Sequence, residues 1–555
     1  MPMPTPNKAP AVFNSLGKQP FGPANNQTTQ SIGIPAPVQG IVANNPMYTD
    51  VSVENAAIWL YNMIPRELGC SVRPGSHEYA TNIPDKTDTP GEIRTIMYYN
   101  AIIAGGSVDF MFVTTDKGVF DVTAGGAGPW VPVLEWPVQS DDAGWCSYVN
   151  YTNVAGDHFL LVCDEANGYY IFDGASWAPG NITGSKPEPE NLVHIVEWSG
   201  RLWFTERNTA RAWYLDVLDL AGNLEAFDVG SRFIKGGHLV QCATWTVDDG
   251  AGLNDRLVMV SAAGDVLVWD GDPDIIGDPL TLLGRWYVGT LVEGRRAISN
   301  WAGDSAILSS EGVSVLSELM QERSDKLIDN HITKNISRYF RQQMAIKRDY
   351  YGWQIELNSG ESTVIITVPV GAEGEPPLQF VLNVNTGTWC FYRDLDMLCI
   401  SDTALGFFFG THDGRLMQHT GEADDVSLDG STAKTIAFSL MTHYNSLGTP
   451  ATWKRPQFIR PSWVGAAEPV YNIQIKYDFD LTELSVTPPY VNVDLALWDA
   501  AIWDANVWAG TAQSYLETRG CIGMGRHLAV AVRGETSFEL SLLGFDLMGD
   551  GGGLL

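Results

Sequence analysis

Four stretches of this chain repeat one pattern in different letters. Val119-Phe120-Asp121-Val122, Tyr170-Ile171-Phe172-Asp173-Gly174, Val266-Leu267-Val268-Trp269-Asp270-Gly271 and Val384-Asn385-Thr386-Gly387-Thr388-Trp389 each run an apolar strand into an Asp or Asn turn. Further apolar runs lie beside them, at Asp109–Thr114, Phe159–Cys163, Leu257–Ser261 and Leu378–Leu382. The unit is strand–turn–strand, and one such unit cannot bury its own face; it must stack on its neighbours. Asp121, Asp173, Asp216 and Asp270 stand 52, 43 and 54 residues apart. Four-stranded propeller blades repeat at ~40–50 residues. Further units are expected around 306–317 and at 407–418, where Asp413-Gly414 makes a hairpin turn. The expected fold is all-β: a propeller of about six or seven blades, with an inserted helix and an additional C-terminal β-domain.

Composition agrees with that class. The 555 residues include 56 Gly and 19 Trp, and 45% are apolar. With short Val/Ile/Phe/Tyr runs, this suits turn-rich strands. There are 65 acidic against 34 basic residues, a net charge of -31. Such a surface repels nucleic acid and anionic membrane. The seven cysteines are odd in number and none has C-x-x-C spacing, which argues against a zinc site and for buried, reduced thiols. No basic n-region or apolar core follows the opening Met-Pro-Met-Pro-Thr-Pro, and no run of 18 apolar residues exists, so neither a secretory signal nor a membrane span is expected.

Three regions are expected. Residues 1–48, rich in Pro, Asn, Gln and Gly, read as an extended N-terminal arm in which Val12, Phe13, Leu16, Phe21, Ile32 and Ile34 are candidate anchors. Residues 49–430 read as the propeller, with a helical insertion near 325–345. There Ile328, Ile332, Ile336, Tyr339 and Phe340 follow helical periodicity. The opposite face carries Lys334, Arg338 and Arg341, with Lys347 and Arg348 just beyond. This basic stripe is either a solvated helix face or a surface for DNA or an acidic partner. Residues 431–555 read as the C-terminal β-domain, with Trp498, Trp503 and Trp508 at steps of five.

The chain shows no catalytic constellation. The nine histidines lack H-x-x-x-H or H-E-x-x-H spacing, and neither a Gly-x-Ser-x-Gly elbow nor a phosphate loop is present. Asp173-Gly174-Ala175-Ser176-Trp177 is close to the Asp-box turn of sialidase-like propellers, with its Gly one residue early. That turn marks fold, not catalysis. Asp270, Asp272, Asp274 and Asp278 occupy positions 1, 3, 5 and 9 of a calcium loop, but Ile275 and Thr281 stand where the turn Gly and the bidentate acid belong. No cofactor, metal or catalytic residue is expected, and the chain is read as no enzyme.

The segment Leu60-Tyr61-Asn62-Met63-Ile64-Pro65, running to Gly69 and then Arg73-Pro74-Gly75, resembles the opening of a known family. This is the tail nozzle proteins of short-tailed phages (podoviruses), also called packaged-DNA stabilisation or tail tubular B-type proteins. In that family an Asn-x-x-Pro segment leads to an Arg-Pro-Gly turn. The resemblance continues through the Asp-Gly/Trp hairpins, the helix near 325–345 and Trp498-Asp499 with Trp503-Asp504. It implies a virion structural protein assembled in the host cytoplasm, a homo-hexameric ring below the portal and head–tail adaptor. Such a ring continues the DNA channel, is closed by a plug or needle, and carries fibres or tailspikes. Double-stranded DNA would pass without specific binding, as an acidic wall favours. The alternative is a propeller that binds or degrades host glycans, which predicts paired carboxylates of perturbed pKa at the channel mouth. A WD-repeat-like scaffold is disfavoured, since Trp269-Asp270 lacks the Gly-His partner of that repeat.

Overall fold

The computed structural model describes residues 30–43, 55–485 and 512–551, apart from 104–105, 185–186, 249–252, 274–279, 302, 322–330, 372–373 and 449, together with the short strands Leu495–Ala496 and Val507–Trp508.

The fold is a β-propeller with a β-sandwich fused to its rim. Successive antiparallel sheets follow one another around the propeller axis. Their innermost strands are Thr95–Ile103, Cys146–Thr152, Leu192–Trp198, Leu239–Asp248, Ile298–Trp301, Gln354–Asn358 and Cys399–Thr403. Each lies beside the next, and the last returns to the first, so the ring is closed. Among the described residues, six sectors are four-stranded blades and the fifth, Ile298–Val315, is a three-stranded sheet. The expected range of six or seven therefore brackets six full blades and one reduced sector.

The repeated sequence units have one structural meaning. Gly118–Asp121, Gly168–Phe172, Asp265–Asp270 and Leu378–Asn383 are all third strands, and the Asp/Asn turns lead to the outermost strand. Asp173 shows why the turn wants that residue: its Oδ1 accepts the N–H groups of Ala175 (2.9 Å) and Ser176 (2.7 Å). Apolar third strands face neighbouring blades, as where Phe172 meets Phe112 at 5.0 Å between ring centroids.

Closure of the ring was not legible locally. The last blade has only three strands of its own, Cys399–Thr403, Gly406–Gly410 and Leu416–Gln418. Its outer strand is His77–Ala80, from more than three hundred residues upstream. The first propeller strand is thus His77–Ala80, and the expected start near residue 49 falls differently. Gln30–Pro35, Ala57–Tyr61, Met63–Pro65 and Cys70–Val72 belong to the sandwich. Residues 1–29 of the expected arm lie outside the described residues, whereas Gln30–Pro35 is a strand paired with Leu540–Gly551.

The sandwich grows from the sixth blade. Its outer strand Thr388–Arg393 pairs in parallel with Ala57–Tyr61, and the sheet continues through Ile436–Thr442, Leu528–Thr536 and Val470–Tyr477 to eight strands. A seven-stranded sheet built on Lys454–Gly465 and Leu540–Gly551 covers it. The interior between them includes Trp59, Leu440, Trp463, Val530 and Leu542.

The expected helix is present and ends at Lys347. Residues Ile332–Ile336 form a 3-10 turn and Ser337–Lys347 an α-helix; 325–330, with Ile328, lie outside the described residues. Ile336, Phe340 and Met344 are buried, as their periodicity predicts. The 3-10 turn packs on Gly312–Val315, the last strand of the three-stranded sector, where Val313 N–H donates to Thr333 Oγ1 (3.3 Å). It lies beside the edge that a fourth strand covers in the other sectors. Trp389 and Trp353 donate indole N–H groups to Ile332 O and Lys347 O, both at 2.9 Å, and so fasten the helix to the sixth blade.

Candidate functional site

The residues of the Asn-x-x-Pro and Arg-Pro-Gly segment converge on one buried knot. Asn62 ends Ala57–Tyr61 with φ 58°, a conformation Asn tolerates, and its side chain is fully used. Nδ2 donates to Arg393 O (3.1 Å) and Ala437 O (2.7 Å), while Oδ1 accepts from Arg393 N (2.8 Å) and Arg73 Nε (3.0 Å). The Arg73 side chain is 0% exposed and grips Asp424 bidentately, with both N···O distances 2.7 Å. Arg73 also donates to Pro74 O (2.9 Å) and lies over the Tyr392 ring. Gly75 passes so close to the chain at Ala423 that a Cβ there would sit 1.9 Å from its carbonyl oxygen. Pro65 O accepts from Asn383 Nδ2 (2.8 Å). One network thus ties the entry strand, the sixth blade, the sandwich strand Ile436–Thr442 and the closing blade. Beside it His419 Nδ1–H donates to Gly75 O (3.0 Å); burial, then the Arg73 charge, lowers its pKa to about 3.

The second site is the propeller axis. One mouth is closed by Arg295 and Arg296, on the link between the fourth and fifth sectors. Arg295 pairs with Glu165 (2.8 Å) and donates to Leu239 O (3.4 Å) and Val240 O. Arg296 donates to Arg94 O (2.8 Å), Thr95 Oγ1 (2.6 Å) and Cys146 O (3.2 Å), and lies over Trp145, which stacks on Tyr351. Burial lowers the Arg296 pKa, but carbonyl dipoles and the indole face offset the lost hydration. Beneath this plug is a cavity of about 220 Å³, bordered by Tyr148, His194, Gln241, Glu356 and Asp402. Burial raises Glu356 to about 7, with the Asp402 charge adding to it. His194 is pushed down to about 3 by burial and then by Arg295. Among the described residues, its Nδ1 and Gln241 Oε1 have no hydrogen-bond partner.

A third feature is a cleft of about 760 Å³ between the sixth and last blades, bordered by Asp394, Asp396, His412, Arg415, Asp425 and Lys434. Its charges are largely paired: His412 with Asp396 (2.5 Å), Arg415 with Asp425 (3.0 Å) and Lys434 with Asp425 (2.6 Å). Burial pulls His412 down, but the Asp396 hydrogen bond and charge outweigh it and the net shift is upward.

The residues of the expected basic stripe lie on and just after the helical segment. Lys334, Arg338 and Arg341 are exposed on the helix, and Arg348 is half-buried at its end. Arg341 pairs with Glu311 (3.1 Å) and Arg348 with Asp349 (3.0 Å), while Lys347 is buried against Glu375 (2.7 Å). Of the calcium-like loop, Asp272 is buried 3.3 Å from Arg201, and Asp274 and Asp278 lie outside the described residues. No cluster of His, Cys, Asp and Glu among the described residues has metal-binding geometry. Trp498 and Trp503, and the side chain of Trp508, also lie outside them. No helix among the described residues is long and apolar enough to cross a membrane. The knot escaped sequence reasoning because its partners are distant: Arg73 and Asp424 are 351 positions apart.

No family model and no curated protein matches the chain. Among solved structures it is similar to YCF48 bound to a D1 peptide, at 12% identity and TM-score 0.34, covering 64% of this chain and 98% of that one. It is similar to BBS1N in complex with ARL6DN, at 10% identity and TM-score 0.37, again covering 64% and 98%. It is also similar to a putative 6-phosphogluconolactonase from Bacteroides uniformis, at 12% identity and TM-score 0.29, covering 57% and 89%. These likenesses concern the propeller fold alone.

Proposed function

We propose that the chain is a structural subunit of the tail nozzle of a short-tailed phage, six copies forming a ring through which DNA leaves the capsid. The observation that carries this reading is the knot of Asn62, Arg73 and Asp424. The segment on which the family resemblance rests is spent on joining two domains, not on a reaction. A buried, charged junction fixes the angle between propeller and sandwich, as a subunit that must hold its place in a ring requires. The eight-stranded sheet that runs from the sixth blade into the sandwich supports the same reading, because bending between the domains would break the Tyr61–Phe391 bridge and the bond from Asn62 N to Phe391 O (2.8 Å). The plugged axis bears on the route: Arg295 and Arg296 close the propeller, so the conduit lies between copies, around the ring axis. A net charge of -31 per copy disfavours retention of DNA by phosphate contacts. Adaptor, plug and fibre contacts follow from this role, as does assembly in the host cytoplasm.

Imaging of phage particles in which this chain is labelled tests the proposal: the label is expected as a six-fold ring on the tail. A chain that is absent from particles refutes it.

One observation favours the second reading, a glycan-binding or glycan-degrading propeller: Glu356 and Asp402 border the same axial cavity. That reading requires cleavage or binding of host polysaccharide that is lost in Glu356→Gln and Asp402→Asn. The nozzle reading predicts neither activity.

A further inference from the structure

The outer face of the seven-stranded sandwich sheet carries apolar side chains in a row. Leu516 lies opposite Ser462, and the β-bulge next to Ser462 places Leu543 on the adjacent strand. Leu68 follows at the next strand, where a Cβ on Gly69 would lie 3.2 Å from Leu543 Cδ2. These residues are 55%, 42% and 80% exposed. Phe458, paired with Met548, extends the patch along the strands, and Ile522, 97% exposed, borders it beyond Gly520. The ion pair of Arg460 with Asp546 (2.7 Å) crosses the face. Exposed apolar side chains gathered on one sheet face and rimmed by polar groups mark an interaction surface more often than scattered ones do.

The occupant is indicated by the start of the chain. The first 49 residues hold Lys8 and Lys18 and no acid, in a chain of net charge -31. They also hold Val12, Phe13, Leu16 and Phe21, apolar anchors spaced among prolines. Prolines favour an extended chain that ordinary sheet faces bind at low entropic cost. Gln30–Pro35 pairs on the edge of this same sheet, with Gln30 opposite Gly549 and Pro35 opposite Gly544. The strand therefore enters at the Gly549 end and runs toward Leu543, so the chain before Gln30 meets the sheet at the end remote from the row. Reaching its own row would demand a reversal; reaching a neighbour would not. An extended chain of nine residues, the sequence separation of Phe21 from Gln30, would reach about 28 Å at ~3.1 Å per residue.

We infer that residues 11–21 of one copy dock on the Leu68–Leu543–Leu516 row of a second copy, so that the acid-free leader straps adjacent subunits together. The inference rests on the self-association in the proposed function, but not on ring order or on a virion.

The test uses full-length protein with a photo-crosslinking amino acid at Phe13 or Phe21, mixed from light and heavy isotope preparations. Crosslinks from the leader to peptides containing Leu68, Leu543 or Leu516 are expected in light–heavy pairs. Removal of residues 2–29 and the variant Leu543→Lys are each expected to weaken self-association at least tenfold, and their combination no further than the stronger of the two. An unchanged melting transition for Leu543→Lys shows that the variant is folded. Rings that survive leader removal, with no leader crosslinks, overturn this inference and leave the nozzle reading standing. Crosslinks confined to light–light and heavy–heavy pairs also overturn it. Leader-dependent dimers that never close into rings support the strap and count against the nozzle. A chain that stays monomeric at high concentration overturns both.

Discussion

Arg73→Met isolates the junction. The Arg73 guanidinium is enclosed and makes two 2.7 Å bonds to Asp424, whose side chain is only 12% exposed. Methionine keeps most of the stem and removes the charge, so Asp424 is left buried without its cation. Breaking a buried pair from one side costs about 3–5 kcal/mol. Asn62 Oδ1 keeps its bond from Arg393 N (2.8 Å), which limits its share of the loss to about 1 kcal/mol. The total expected is therefore about 4–6 kcal/mol. A control is available on the same sandwich: Arg519 and Glu517 pair at 2.7 Å with side chains 34% and 52% exposed, and Glu517→Gln should cost at most about 1 kcal/mol. The double variant Arg73→Met with Asp424→Leu removes both charges and should recover about 2 kcal/mol or more of the loss. Urea unfolding gives the free energies, and calorimetry should show the transition of Arg73→Met splitting as propeller and sandwich come apart. A loss no larger than that of the Glu517 control would refute the reasoning, and so would strict additivity in the double variant.

Gly75→Ala attacks the same junction through the backbone, since its Cβ would meet Ala423 O at 1.9 Å; the expected loss is ~3 kcal/mol or more by urea titration. Glu356 sets a pH dependence. Its pKa rises from 4.5 to about 7 on folding, so the folded state prefers the protonated acid and stability falls as pH rises through that interval. The full effect is about 3 kcal/mol, so Glu356→Gln should match the natural protein at pH 4 and exceed it at pH 8 in chemical denaturation. Burial raises the thiol pKa of Cys70, Cys242, Cys390 and Cys399, whereas Cys521 is only half-buried. A thiol reagent on native protein should therefore label Cys521 first and the other six on unfolding, read by mass spectrometry.

The legible part of the fold was its local part. Third strands and their turns announced themselves because an Asp173-type turn and an apolar strand are encoded within ten residues. The helix was visible through Ile336 and Phe340, and it runs on to Lys347, a charged residue in sequence that is buried against Glu375 and continues the buried face. Ring closure by His77–Ala80 and the sandwich's use of Gln30–Pro35 and Ala57–Tyr61 were invisible, since strand pairing across hundreds of residues leaves no periodicity. The basic stripe shows a related limit. Arg341 is on the basic face of a helix drawn from sequence, but Glu311, thirty residues upstream, meets it in the fold, and Arg348 pairs with its neighbour Asp349. Arg295 and Arg296 had no motif at all, and their role as a plug follows only from the carbonyls and indole that the ring brings around them.

As proposed, this chain works by geometry, as one of six rigid wall elements around a conduit that lies between copies. Electron microscopy of the purified full-length chain and of labelled phage particles tests it most directly. The account predicts six-fold rings with a central opening lined by acidic side chains, seen at the tail of the particle, with each propeller axis closed. A strictly monomeric chain found outside particles, or DNA running through the axis of a single propeller, would contradict it.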